Sequence, residues 1–284
     1  MTDRLPTVSM STMDLRKKRS ALPINLRRKS MENRVISVLD NIKEEIISLL
    51  DSNLCGIYLH GSLAYDCFSW EQSDIDFLVV VKKSLKLAEK ARLIQALMEI
   101  EHLGPKKGLE MSVVCEKDLR PPCFPMPYHL HYSKQHQKAA KENVSLYCDN
   151  MQGVDLDLTT HIMVVCQRGI ALYGKELTEV FQVPTRKDYL NSVWYDIENS
   201  LTMVTKDPVS TILNLCRTLA YVREKTFLSK KEGGEWALGH CSQHYTAMLN
   251  HIIKAYQAGS IVVPTALMIQ FVQESLDELA GHVG

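Results

Sequence analysis

The chain has 284 residues, no net charge at neutral pH, and 45% apolar against 23% charged residues. That is enough for a substantial core in one large domain or two ordinary ones, with the composition of a soluble globular protein. Balanced charge argues against a broadly basic nucleic-acid surface. The lack of an apolar run of about 18 residues excludes a membrane-spanning helix, and the absence of an apolar signal core at the start points to the cytoplasm.

Residues 1–30 hold eight basic side chains (Arg4, Arg16, Lys17, Lys18, Arg19, Arg27, Arg28 and Lys29) against Asp3 and Asp14, eight less two, or +6. With little periodicity, this stretch is expected to be a flexible basic arm or sequence left by an upstream start codon. A nucleic-acid arm is the sharper alternative. From Val35 to Leu50 the apolar residues fall on one stripe of a helix. A short strand (GIYLH), a Gly-Ser turn, a short helix (SLAYDCF) and a strand (DIDFLVVV) follow. Residues 85–103 read as an amphipathic helix ended by Gly104-Pro105, and LEMSVVC as a third strand. RPPCFPMP has too many prolines for regular structure. A short strand near His129–Ser133 and a helix over 157–172 come next. Beyond Val183-Pro184 the pattern predicts helices at 186–205, 208–225, 231–238, 242–257 and 264–281. The expected architecture is an α/β domain followed by an all-helical C-terminal domain.

Eight cysteines without CxxC spacing read as reduced, mostly buried thiols rather than zinc ligands. His129 and His131 share a strand face by spacing, but no matching Cys or His pair follows at ligand spacing.

The chemistry concentrates in YLHGSLAYDCFSWEQSDIDFLVVV. Asp74 and Asp76 are two apart in a strand, so both point to one face, roughly 6.5–7 Å apart along the chain. Two like charges near 4 Å repel by about 4 kcal/mol at an effective dielectric of 20, and a hard divalent cation such as Mg²⁺ relieves that. Gly61 allows close backbone approach, and Ser62 opens a helix with free N–H groups, which suits phosphate. Glu110 opens the strand LEMSVV. If that strand pairs beside DIDFLVVV, three carboxylates meet at one sheet end, enough for two metals, or one metal and a base. Glu116 and Asp118 read as ordinary surface charge.

Gly61-Ser62, eleven residues, then Asp74-Ile75-Asp76-Phe77 resembles the signature of polymerase-β-like nucleotidyltransferases. With LEMSVV, VDLDL, ILNLCR, SKKEGGEWAL and KAYQAG in order, the chain from about residue 55 to 260 is similar to the aminoglycoside adenylyltransferases that modify streptomycin and spectinomycin. The resemblance implies a nucleotidyltransferase domain over 31–182 and a helical domain over 183–284 that completes the site. It makes Asp74, Asp76 and Glu110 metal ligands, with Glu110 also the catalytic base. Gly61, Ser62, Ser73, Asp157, Arg217, Lys230 (with Lys231 as the fallback) and Tyr256 become nucleotide contacts, and Asp207 an acceptor contact. Arg217 and Lys230 lie beyond residue 182, which puts the site in an interdomain cleft. Trp236 reads as packing.

The implied co-substrate is ATP, with Mg²⁺, two ions for preference, and the implied partner is a small-molecule acceptor. Neither membrane nor nucleic acid is an expected partner, and a monomer is the default in the absence of any oligomer signal. Where the family carries a tryptophan lining the drug site, this chain reads YSKQHQ, with Gln135 or His136 in its place. TMVTKD, before Asp207, lacks the aromatic and acid associated with streptomycin, which favours spectinomycin. The alternatives are transfer to another small molecule or a protein, and a non-catalytic nucleotide-binding regulator.

Overall fold

A computed structural model describes residues 33–283, so the basic arm expected over 1–30 lies outside the described residues. A first helix, α1 (Asn33–Leu50), leads into β1 (Leu54–Leu59), the single turn α2 (Gly61–Ala64) and β2 (Ile75–Val81). Helix α3 (Leu87–Ile100), β3 (Leu109–Cys115), β4 (Met126–Tyr128) and β5 (Leu130–Ser133) follow. After them come α4 (Gln137–Glu142), α5 (Val144–Asn150), β6 (Gly153–Asp155), α6 (Leu158–Arg168) and β7 (Ile170–Gly174). The remainder is helical: α7 (Leu177–Val180), α8 (Arg186–Ile197), α9 (Ser200–Met203), α10 (Pro208–Glu224), α11 (Lys230–His240), α12 (Thr246–Ala258) and α13 (Ala266–Ala280). No helix among the described residues is long and apolar enough to cross a membrane.

Five strands form a mixed sheet in the order β5-β3-β2-β1-β7, in which only β2 and β3 run parallel. The period of two divides β2 between two cores. Ile75, Phe77, Val79 and Val81 pack with α1, α3 and α5, while Leu78 and Val80 pack with Leu158, Ile162 and Val165 of α6. Asp74 and Asp76 share the parity of Leu78 and Val80, so the acids rise on the face that α6 covers.

The expected helix over 157–172 is shorter than its apolar pattern suggests. It stops at Arg168, because Gly169 breaks it where a Cβ would stand 2.5 Å from the Val165 carbonyl. Residues from Ile170 instead satisfy the open edge of β1. The 186–205 helix divides at Asn199, and SLAYDCF supplies only one turn before Asp66 takes a left-handed conformation at φ 55°. The helical domain is built around α10, packed by α11, α12 and α13. It meets the first domain through α6 and α8, where Thr160 Oγ1 donates to Ser192 Oγ (2.8 Å) and Ser192 Oγ donates to the Leu156 carbonyl (2.6 Å), and Met163 enters the helical core.

Candidate active site

Parallel pairing of β2 with β3 places Asp76 directly opposite Glu110. One oxygen each from Asp74, Asp76 and Glu110 lies within 4.8 Å of the other two. Ligands on opposite sides of an octahedral ion with bonds of 2.0–2.1 Å stand about 4.2 Å apart, so this donor set fits a hard divalent cation. The electrostatics agree. Burial, followed by the charges of Asp74 and Glu110, pushes Asp76 up to about 8. Glu110 is raised by burial, with His161 pulling against the rise and Asp74 adding to it. Without a cation, the cluster favours protons.

Gly61 begins the turn after β1 at φ +57°, where a Cβ would fall 1.8 Å from Asp76 Oδ2. Only glycine lets the turn close on the acid strand, and the His60 amide locks it by donating to the Asp76 carbonyl at 3.0 Å. Ser62 Oγ is buried beside it without a hydrogen-bond partner. Ser73 is buried and faces its own loop, its hydroxyl accepting from the Ser69 amide at 3.1 Å.

The helical domain supplies the cations. Gly233 sits against the backbone of Arg217, where a Cβ would come within 2.8 Å, so α11 crosses α10 closely enough to set Lys230 beside Arg217. Burial depresses the Lys230 ammonium, and Arg217 and Lys107 depress it further; Asp196 and Asp207 counteract them. Lys231 instead points to Glu235, at 3.3 Å. Tyr256 on α12 is half-buried, its hydroxyl raised by burial and within the influence of both Asp74 and Arg217. An aromatic and aliphatic recess bounded by Tyr65, Val164, Tyr189 and Phe227 adjoins Arg217. Asp207 is exposed and caps α10, accepting from the Ser210 amide at 3.0 Å. Gln135 is exposed and His136 half-buried, its Nδ1 without a partner. Trp236 stays within the helical domain, stacked on His240.

Asp157 precedes α6 and lies 3.2 Å from His161 Nε2, one turn along. Burial alone would drive the histidine neutral, but Asp157, Glu110 and Asp76 outweigh it and lift His161 to about 10. Asp157 is correspondingly held below the usual carboxylate range: burial raises it, and His161 more than reverses that. The His161 ring lies tilted against His60 at 4.8 Å between centroids, and burial keeps His60 well below its ordinary value. A half-buried histidine held towards its charged form therefore lies against the acids, a feature the sequence reading missed although the i,i+4 spacing from Asp157 was visible. His131 was also missed as a site residue. It bonds Ser112 Oγ (2.9 Å), two residues along from Glu110, and faces His136.

Mixed sheet, acid cluster and turn define a nucleotidyltransferase. The polymerase β nucleotidyltransferase family model matches residues 44–122, and the aminoglycoside adenylyltransferase C-terminal domain model matches residues 179–280. The chain thus joins a nucleotidyltransferase domain to an aminoglycoside adenylyltransferase C-terminal domain, and is an adenylyltransferase. It is 24% identical to a spectinomycin 9-adenylyltransferase of Staphylococcus aureus over 237 residues, 82% of this chain and 88% of that one. A Campylobacter jejuni spectinomycin 9-adenylyltransferase is 20% identical over 256 residues, 87% and 95% of the two chains. The fold matches that of the Enterococcus faecalis spectinomycin adenyltransferase AAD(9), solved with ATP and spectinomycin, with a TM-score of 0.73 and 20% identity over 86% of this chain and 99% of that one.

Proposed function

We propose that the protein transfers AMP from ATP to a hydroxyl of an aminocyclitol or aminoglycoside antibiotic, with spectinomycin favoured over streptomycin, in the cytoplasm where ATP is available. The observation that carries this reading is the convergence of three carboxylates, the Gly61-Ser62 turn and the Arg217–Lys230 pair on one cleft. The relatives' acceptor, spectinomycin, supplies the drug class.

When bound to Asp74, Asp76 and Glu110, Mg²⁺ would neutralise charge on the α-phosphate and on departing pyrophosphate. The chain's own residues position everything else. Ser62 and the amides of its turn face the phosphates, with Ser73 supporting the loop beneath. Arg217 offers a planar fork and Lys230 a point charge to the triphosphate. Asp157 and Tyr256 line the nucleotide side, and the recess beside Arg217 suits a purine. Glu110 accepts the acceptor's hydroxyl proton as general base. The acceptor oxygen then bonds to the α-phosphorus as the bond to the bridging oxygen breaks, and pyrophosphate leaves with that electron pair. Asp207, with Gln135 and His136, forms the acceptor side, where a carboxylate draws a cationic drug.

A second reading, transfer to another small molecule or a protein, draws on the histidines His131 and His136 beside Gln135, which make this wall polar. Pyrophosphate release from ATP separates the two. Release with spectinomycin, and not with streptomycin or without acceptor, supports the first; release only on adding cell extract supports the second.

A further inference from the structure

Strand β3 carries Glu110 at one end and Cys115 at the other. Beyond Cys115 the chain makes a 3-10 turn containing Asp118, and His129 directly precedes β5, its amide donating to the Val113 carbonyl at 2.8 Å. Pairing of β3 with β5 therefore brings together side chains from three elements, and one donor atom from each of Cys115, Asp118 and His129 lies within 4.8 Å of the other two. His129 Nε2 is shut off from solvent and has no hydrogen-bond partner. Asp118 Oδ2 stands 3.7 Å from it, beyond hydrogen-bond reach. Two ligands on a tetrahedral ion with bonds near 2.1 Å stand about 3.4 Å apart, so the gap that fails as a hydrogen bond is within a few tenths of an ångström of a shared-metal spacing.

We propose that Cys115, Asp118 and His129 form a binding site for a zinc-class divalent cation, distinct from the three-carboxylate site. A thiolate, an imidazole and a carboxylate are the donors that four-coordinate Zn²⁺ takes, whereas Mg²⁺ selects oxygen alone. The side chains of Asp118 and His129 are about one-fifth exposed, and three protein donors leave a fourth position for water. Burial raises the Cys115 thiol, so it carries its proton until a metal displaces it. The ion would join residues 118 and 129 and close the proline-rich segment between them. That segment includes β4, whose partner β6 leads directly to Asp157.

The test is cobalt substitution in the full chain without an affinity tag, stripped with chelator and kept in excess Mg²⁺ to occupy the carboxylate cluster. Co²⁺ is expected to bind at one equivalent with a sulfur-to-cobalt charge-transfer band, which one equivalent of Zn²⁺ abolishes. His129→Ala, at a half-buried position, should keep its far-ultraviolet circular dichroism and weaken Co²⁺ binding at least about tenfold, a loss of about 1.4 kcal/mol. Cys115→Ser should lose the band, while Asp74→Asn keeps it. Absence of the band in the wild type, or its persistence in Cys115→Ser or undiminished in folded His129→Ala, overturns the proposal.

Discussion

Replacing Asp76 by Asn should stabilise the protein when no metal is present. Asp76 titrates at about 8 in the fold against 3.8 unfolded, so at pH 7 folding must take up a proton or bury a charge that the unfolded chain carries freely. The roughly 3 pH units between 3.8 and 7, at about 1.36 kcal/mol each, give about 4 kcal/mol for a dry site. Asp76 is partly open to the cleft, and screening there reduces this to about 2 kcal/mol. For a chain of this size that corresponds to a rise of about 4–8 °C in Tm, because each kcal/mol moves Tm by about 2–4 °C. The sign fixes the pH dependence. A carboxyl raised on folding costs nothing below the unfolded value, and the cost grows as pH rises from 3.8 to about 8, so the advantage of the variant should grow over that window. Scanning calorimetry in chelator at pH 5 and pH 7 measures it. Added Mg²⁺ and ATP should reverse the order by stabilising only the wild type. A metal-free Asp76→Asn that melts at or below the wild type at pH 7 would refute the reasoning.

Three other variants probe the rest of the cleft. Arg217→Ala removes a charge-assisted contact worth about 1.5–3 kcal/mol, so KM for ATP should rise roughly ten- to a hundred-fold in steady-state assays while the fold, judged by circular dichroism, is retained. Asp207→Asn keeps a good N-cap for α10 but removes the charge; KM for spectinomycin should rise and lose its salt dependence, with KM for ATP unchanged. His161→Gln should destabilise the metal-free protein at pH 7. A histidine raised on folding contributes fully below its unfolded value of 6.5, and that contribution is lost as pH climbs through about 10, so denaturant titrations should show the deficit shrinking over that range.

The acid pair and Glu110 were legible because a period of two is rigid: a strand that hides Ile75 and Phe77 must turn Asp74 and Asp76 to the other side. The Gly61-Ser62 turn was legible because glycine permits close backbone approach and the serine stands where a following helix presents free N–H groups. What sequence could not supply was which element lies over the acids. His161 follows Asp157 by one helical turn, yet nothing local says that α6 covers that face of the sheet. Strand β7 was read as the end of a helix because Ile170, Ala171 and Leu172 fit either period, and only the open edge of β1 decides between them. The Cys115–Asp118–His129 cluster was invisible for the same reason. No spacing along the chain joins residues that meet only through strand pairing, which is why searching for a second Cys or His near His129 missed it.

The central claim is tested most directly with ATP labelled at the α-phosphate. Incubated with Mg²⁺ and spectinomycin, the wild type should move the label onto the drug and release one pyrophosphate per product formed. Glu110→Gln should bind ATP within a few-fold of the wild type by calorimetry and form no labelled drug. No labelled product from the wild type, or normal turnover by Glu110→Gln, would contradict the account.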